Sequence, residues 1–596
     1  MWVEDGRESE CRFVMKRIRV ETLSYTKVGR LLRKVILYKK LLELFKVEKQ
    51  MNEIRKSCAS TDHIQNDWDG IDWLKCEVEV QKLQARIVKA QKDGKHNKVK
   101  SLQWILTHSF YAKALAVKRV TSNQGGKTAG VDKVLWSTSK AKMKGIFELK
   151  RRGYNPQPLK RVNIKKSNGK LRPLGVPTMR DRAMQALHLM ALDPIAETIA
   201  DNHSYGFRKK RSTEDAMSHI FLAMSKRDAP QWILEADIKG CFDHISHEWM
   251  LKNIPTDKYI LDKWLKSGYL FKGTLFPTAE GTPQGGIISP TLANLTLDGI
   301  QELVNLKRRT VNGERISPMT NLIRYADDFV ITGRSKKILE EEVIPKLKEF
   351  LKVRGLTLSE EKTKITHIND GFDFVGFNFR KYNGKLLIKP TKEGMKRLTE
   401  KVADIINRNK TVQQITLIRL LNPVITGWGN YYDSAVSAKS FQKLDKIIFD
   451  KLWKWSLRRH PKKGKDWIKN KYFHTVNGRK WQFGVKSKSS KGDYIFTLKR
   501  LSDFKITRHI KLKADANPYD NEWSKYFADR KYNKMRVKFL WSKTLIELWS
   551  KQKHLCFACG KRIEESDTWN IVKTDNDTKV MTHKRCNYQT KLNWKY

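Results

Sequence analysis

An α+β fold is predicted for this chain of 596 residues, and three observations predict it. Short apolar runs of strand-forming residues recur as far as Pro390, several of them ending in acids or glycine-rich turns. Beyond Pro390 the pattern changes to helical spacing, as in Phe441, Leu444, Ile448, Leu452 and Trp455, three or four residues apart on one face. A chain of this length also exceeds what one hydrophobic core organises, so several domains are expected.

Composition narrows the partner class. Lys and Arg number 119 against 63 Asp and Glu, a formal net charge of +56. Such an excess, spread along nearly the whole chain, is the footprint of a polyanion. Binding is therefore expected to weaken with salt, with a slope of about −0.7 to −0.9 per neutralised phosphate. The 18 Trp exclude a disordered basic tail and suit stacking on single-stranded nucleic acid. Seven scattered cysteines do not make a disulfide scaffold, which points to a reducing intracellular compartment. No apolar run approaches a membrane span, so no membrane partner is expected. No secretory signal is visible, and Glu4, Asp5, Glu8 and Glu10 argue against an ordinary transit peptide.

Along the chain, residues 1–62 carry no recognisable chemistry, and Val28 to Val47 reads as a basic amphipathic helix. Basic helices are predicted from Val78 to Val99 and from Leu102 to Val120. Residues 121–132 form a glycine-rich loop that matches no nucleotide-triphosphatase pattern. Val162–Lys166, Ser167-Asn168-Gly169 and Lys170–Pro177 read as strand, turn and strand.

Two acidic strand ends dominate the centre. Trp232-Ile233-Leu234-Glu235-Ala236-Asp237 is an apolar strand ending in an acid, followed by Ile238 and, five residues past Asp237, Phe242. Leu322-Ile323-Arg324-Tyr325-Ala326-Asp327-Asp328-Phe329-Val330-Ile331 reads as a tight hairpin with two carboxylates at its tip. An isolated Asp-Asp pair is ordinarily a solvated acidic turn. A third carboxylate, on a strand so distant in sequence, has no local structural reason to accompany it. Adjacent acids repel unless a cation neutralises them, and oxygen-only ligands of this charge density suit Mg²⁺. Between the two strands lies Gly281-Thr282-Pro283-Gln284-Gly285-Gly286, whose glycines allow backbone to approach a ligand closely.

Near the end, Cys556-Phe557-Ala558-Cys559 and His583-Lys584-Arg585-Cys586 give two metal-ligand pairs at two-residue spacing. One such pair is weak evidence. Two in a short basic segment point to one tetrahedral Zn²⁺ held by Cys556, Cys559, His583 and Cys586.

From about residue 66 onward the order of these motifs, together with Ser204-Tyr205-Gly206-Phe207-Arg208, Gly427-Trp428-Gly429-Asn430-Tyr431-Tyr432 and Trp453-Lys454-Trp455, resembles the group II intron-encoded reverse transcriptase/maturases. The resemblance implies a right-hand polymerase, with fingers and palm over 63–390, then an all-α thumb and maturase bundle over 391–490. A basic DNA-binding region over 491–548 and a zinc knuckle over 549–596 would follow. It implies two Mg²⁺ held by Asp237, Asp327, Asp328 and the Ile238 carbonyl, with Lys166, Arg172, Phe242 and Gln284 contacting the nucleotide. Phe242 would be the steric gate against a 2′-hydroxyl. Lys362 reads equally well as a proton donor or as an ordinary ion-pair partner, and Asp243 as a helix cap. Implied partners are the intron RNA as a ribonucleoprotein, target DNA, an RNA template with DNA primer, and deoxynucleotides. The implied compartment is a bacterial cytoplasm or an organelle matrix.

Family members often end in an HNH endonuclease, which needs a histidine between its two ligand pairs to activate water. None stands between Cys559 and His583, where Thr568-Trp569-Asn570-Ile571-Val572 runs instead, so loss of nicking is expected. The rival to the whole reading is an RNA-binding splicing cofactor whose polymerase has decayed. Intact Asp237, Asp327, Asp328, Gln284 and Phe242 argue against it.

Overall fold

A computed structural model of the chain describes residues 67–165, 169, 171–282, 285–311, 314–489, 492–539, 542–564, 567–574, 578–584 and 586. The extension over 1–62, Lys166 and Gln284 lie outside the described residues. Residues 67–72 with 138–143 form a small unit, in which Ser139 Oγ donates to Asp69 at 2.9 Å and the Lys142 ammonium lies 5.4 Å from the Trp68 ring centre. The remaining elements belong to a second unit.

That unit begins with α1 (Trp73–Lys92), α2 (His96–His108) and α3 (Phe110–Ser122). Sequence spacing suggested two longer helices. The first breaks at the turn around Gly94, and α2 ends at Ser109, whose extended backbone lets its amide bond Ile105 and Leu106 carbonyls before α3 starts. All three helices pack on α4 (Met179–Ile199), α3 through the fully buried Ala112, Ala116 and Val117. Nearly every side of α4 is buried, so it shows no single polar stripe. After α5 (Thr213–Met224) and β3 (Trp232–Asp237), a short hairpin of β4 (Tyr269–Phe271) and β5 (Thr274–Phe276) joins the earlier hairpin of β1 (Leu159–Lys165) and β2 (Leu171–Val176), in the order β2-β1-β4-β5.

The central sheet is antiparallel, with β6 (Asn321–Tyr325), β7 (Asp328–Gly333) and β8 (Lys364–His367) arranged around β3 as β8-β3-β7-β6. Ile233, Leu234, Leu322, Ile323, Phe329, Val330 and Ile331 are all buried, which explains why these strands read as unbroken apolar runs. A third sheet, β9 (Phe372–Phe374), β10 (Phe377–Tyr382) and β11 (Lys385–Pro390), leads into helices α7 (Lys392–Arg408), α8 (Gln414–Tyr432) and α9 (Ala438–Arg459), with α6 (Ser289–Leu297) lying earlier, between β5 and β6. Tyr431 and Tyr432 fasten these helices to the sheet. Their hydroxyls donate to the Val375 and Gly376 carbonyls at 2.6 and 3.0 Å, and the Tyr431 ring stacks on Phe377 at 5.3 Å. One apolar core runs from Ile323 and Val330 through Phe377 to Leu421, Phe441 and Trp455.

One expectation is corrected after α9. The boundary at 490/491 falls inside a hairpin, because β13 (Arg479–Ser489) pairs with β14 (Gly492–Thr497) and with β12 (Phe473–Val476). Lys480, Lys486 and Lys488 interrupt the apolar alternation of β13, which hid this sheet from a reading of the sequence and made the region look all-helical. The segment after it, expected to be a basic DNA-binding region over 491–548, is in part bound to the body of the protein. Its His509 bonds Glu214 and Asp215 at 3.0 and 2.9 Å, Arg211 donates to the Ala514 carbonyl, and Tyr519 donates to Asp193 at 3.0 Å. Residues 509–519 are thus strapped across α4 and α5. The chain then forms α10 (Ser524–Lys538), α11 (Lys543–Lys551) and a terminal hairpin of β15 (Trp569–Lys573) and β16 (Lys579–His583).

Candidate active site

The register of the central sheet assembles the carboxylates. Asp237 ends β3 and Asp328 begins β7, and the two residues are paired directly across the sheet. Residues opposite one another on antiparallel strands project to the same face. Tyr325 pairs with Asp328, leaving Ala326 and Asp327 as a two-residue turn. Ala326 takes φ 61°, the positive side that such hairpin turns need.

A buried framework holds that turn. The Arg324 guanidinium, fully buried, bonds Asp298, the Asn294 side-chain oxygen at 3.2 Å and the Ala326 carbonyl at 3.4 Å. Asn294 in turn donates to the Gly206 carbonyl at 2.9 Å. Residues 203–205 exchange backbone bonds with Arg324, so this loop runs beside β6 as a bridging segment. Gly206 lies against the turn itself: a Cβ there would stand 2.3 Å from the Ala326 nitrogen. The role of the Ser204–Arg208 motif is therefore to support the acidic turn from beneath. Arg324 and Gly206 were missed as site residues. The one available signal was an arginine inside an apolar strand, since a buried cation requires a partner.

The charges around the turn are unequal. Asp328 is pushed up to about 7, first by desolvation and then by Asp327, Asp237 and Glu235, with Lys362 pulling the other way. The residue is nonetheless exposed at the start of β7, where a cation has access. Lys362 Nζ bonds Asp237 Oδ2 at 2.8 Å, which raises the lysine and shows the ion pair directly. Glu235, two residues before Asp237 and so on the same strand face, is held by Thr366 Oγ1 at 2.7 Å and Lys364 at 3.2 Å. Ile238 is buried and bridges to Leu358, while the Asp237 carbonyl accepts from the Ser359 amide at 2.8 Å.

The described parts of the elements expected to contact a nucleotide come together around Phe242, which follows Asp237 by five residues. Phe242 sits in the helical turn Cys241–His244 directly after β3. Asp243 lies inside that turn, so it is not its cap. The Thr282 amide bonds the Phe242 carbonyl at 2.7 Å, and the Gly281 amide bonds the Ile245 carbonyl at 2.8 Å. Gly285, with φ 115°, packs so closely on β2 that a Cβ would lie 2.5 Å from the Gly175 carbonyl oxygen. Phe242, Leu174, Gly175, Gly281 and Thr282 share a cavity of about 420 Å³. Arg172 stands exposed on β2, opposite Ile164. Gly281 and Thr282 are thereby held to the Phe242 turn, and Gly285 to β2 beside Gly175.

Near the end of the chain, the ligand atoms of Cys556, Cys559, His583 and Cys586 all lie within 4.8 Å of one another. His583 Nδ1 faces Cys559 and Cys586 sulfur atoms at 3.4 and 3.8 Å. Its Nε2 lies 3.1 Å from the Arg562 carbonyl, which can only accept, so Nε2 carries the proton and Nδ1 turns its lone pair toward the thiols. A soft cation fits this donor set. β15 places Trp569 opposite His583, packed edge-on against Phe539 at 5.1 Å.

The profile of the reverse transcriptase (RNA-dependent DNA polymerase) family matches residues 164–379. That of the N-terminal domain of reverse transcriptase matches 68–149, and that of the group II intron maturase-specific domain matches 395–473. Protein YkfC of Escherichia coli is 33% identical over 304 residues, covering 44% of this chain and 78% of its own. The group II intron-encoded protein LtrA of Lactococcus lactis is 32% identical over 331 residues, 45% of this chain and 54% of its own. The chain belongs to the group II intron reverse transcriptase/maturase family. An uncharacterized 91 kDa protein in the cob intron of Schizosaccharomyces pombe is similarly related, at 27% identity over 56% of this chain and 48% of its own. The aligned region thus spans about half the length of these last two relatives. Within this reverse transcriptase, the carboxylate face lies in the polymerase segment, and α7–α9 carry the maturase segment.

Proposed function

We propose that this reverse transcriptase copies a structured intron RNA into DNA from a primer in the DNA target, and that it clamps the same RNA in its splicing-competent shape. The in-register pairing of Asp237 with Asp328, beside Asp327, carries the polymerase reading. A pure RNA clamp has no use for three acids gathered against a net charge of +56.

Bound at Asp237, Asp327, Asp328 and the Ile238 carbonyl, two Mg²⁺ would supply activation of the primer 3′-hydroxyl and charge stabilisation at the leaving pyrophosphate. The protein's own residues do the rest. Lys362 holds Asp237 in place through its ion pair, the Arg324 framework holds Asp327, and Arg172 adds positive charge at the triphosphate. Phe242 closes the space beside the sugar. Phe242→Ala is expected to raise ribonucleotide incorporation at least about tenfold relative to deoxynucleotide, the scale at which one missing group alters discrimination. Primer extension with separate deoxy- and ribonucleotide pools tests both assignments, and unchanged discrimination removes Phe242 from the gate.

The raised Asp328 has a pH consequence. It titrates near 3.8 in the unfolded chain and near 7 in the folded, ion-free protein. The folded state therefore holds the proton more tightly, and stability falls as pH rises from about 4 to about 7. Added Mg²⁺ should offset this, raising the melting temperature more at pH 8 than at pH 6. Equal rises at both, or the same pattern in Asp328→Asn, would contradict it.

The cluster at Cys556, Cys559, His583 and Cys586 is assigned to one structural Zn²⁺ that supports DNA contact rather than cleavage, since β15 offers tryptophan and aliphatic residues but no water-activating histidine. Chelation or Cys556→Ser should unfold the terminal region, measured as protease sensitivity beyond residue 524, while leaving primer extension on short templates intact. Second-strand cleavage by the purified ribonucleoprotein, lost in Cys556→Ser, would overturn the assignment. The few, scattered cysteines of the sequence are the ground for proposing a reducing compartment, and among the described residues no helix is long and apolar enough to cross a membrane.

A further inference from the structure

A cavity of about 600 Å³ lies between α2, α4 and the segment 252–258, and its lining includes none of Asp237, Asp327 and Asp328. It is a built site. Gln103 of α2 ties two walls together, donating to the Pro255 carbonyl at 2.8 Å. Apolar wall comes from Val99, Met184 and Leu187. His188 lines the cavity at 5% exposure, edge-on to Trp264 at 5.4 Å, and its ring nitrogens bond no described residue. A buried imidazole without a partner is costly unless something else supplies the bond. Burial holds it neutral, down at about 4, so it can both donate and accept.

At the rim, Trp104 is 48% exposed. His108 stacks on its ring at 4.1 Å, and the exposed remainder of the indole is available for stacking. Lys100 and Lys252 also line the cavity, and neither forms an ion pair with a described residue, whereas the Asp257 carboxylate there is neutralised by Arg151 at 2.5 Å. A half-exposed indole, a neutral donor-acceptor in the lining of a partly apolar pocket and two ammonium groups without ion pairs are complementary to one chemistry: a planar heterocycle with polar edges attached to a phosphate.

We infer that this cavity is a second nucleotide site, in which a base stacks on Trp104 and reaches toward His188 while its phosphate lies on Lys100 and Lys252. The nucleotide has two possible sources, a free mononucleotide or an unstacked residue of a bound RNA. Only the second source rests on the RNA-binding function proposed above.

The test uses the full chain in EDTA, with 2-aminopurine fluorescence as the readout. One probe is 2-aminopurine riboside 5′-monophosphate. The other is an RNA duplex with a single bulged 2-aminopurine, alongside the same duplex with that base paired. Quenching of the mononucleotide assigns a free nucleotide, and quenching confined to the bulged duplex assigns an RNA residue. In either case Trp104→Ala and Lys252→Glu should weaken the quenched probe about tenfold, on the scale of one lost stacking contact, and Trp104→Phe should restore it. Primer extension should be unchanged in all three variants, since Trp104 and Lys252 are exposed and the cavity they line includes none of Asp237, Asp327 and Asp328. No quenching of either probe, or quenching unaffected by Trp104→Ala, overturns the site. Binding of the paired duplex reports the RNA-binding function independently of it.

Discussion

Asp327→Ala is expected to reduce RNA-templated DNA synthesis by on the order of a thousandfold or more, the scale on which losing one preorganised charge-stabilising group acts, while RNA affinity stays within about twofold. The second half of the expectation follows from where affinity resides. One acid among so many cations barely alters the field that phosphates experience, and deleting it removes repulsion rather than attraction. Asp327 sits in the turn between β6 and β7, partly exposed and outside the sheet's buried core, so its removal should leave the melting temperature nearly unchanged. Primer extension beside filter binding on the same preparation decides it. Equal losses of synthesis and binding would mean that the turn is part of the RNA clamp. No synthesis by either protein, with tight RNA binding retained, would favour the decayed-polymerase rival.

Gly206→Ala should cripple the enzyme without touching a catalytic group. The added methyl would meet backbone, the Ala326 nitrogen at 2.3 Å and the Tyr325 carbonyl carbon at 2.8 Å, and neither can rotate away. Either the 203–206 segment lifts off β6 or the acidic turn shifts outward. Overpacking of this kind costs about 1–3 kcal/mol of stability, a few degrees in a melt. A displacement of about an ångström at the reacting groups costs about a hundredfold in rate. The signature is therefore a large fall in kcat with a modest fall in Tm, and intact RNA binding. A variant with normal kcat would show that the turn does not depend on the close approach of this loop.

The chemistry of the chain was largely legible in its sequence. Asp237, Asp327 and Asp328 could be picked out because an acid ending an apolar run is rare unless something uses it, and the period of two along β3 would also have pointed to Glu235. The Cys556, Cys559, His583 and Cys586 set was legible because two-residue ligand spacing is a local property of the chain. Helices α7–α9 were legible because each buries one stripe, whereas α4, buried nearly all round, and β13, laced with lysine, show no clean period. Tertiary structure alone decided the pairing of Asp237 with Asp328, since register is set between strands far apart in the chain. It alone decided that Gly206 supports the turn, that Arg324 is neutralised by Asp298, that residues 509–519 strap α4 and α5, and that His188 faces a cavity beneath Trp104. Local sequence encodes residue chemistry and periodicity, which neighbours along the chain are enough to set. Contacts across hundreds of residues depend on which surfaces the packed elements bring together, and no window of sequence contains them.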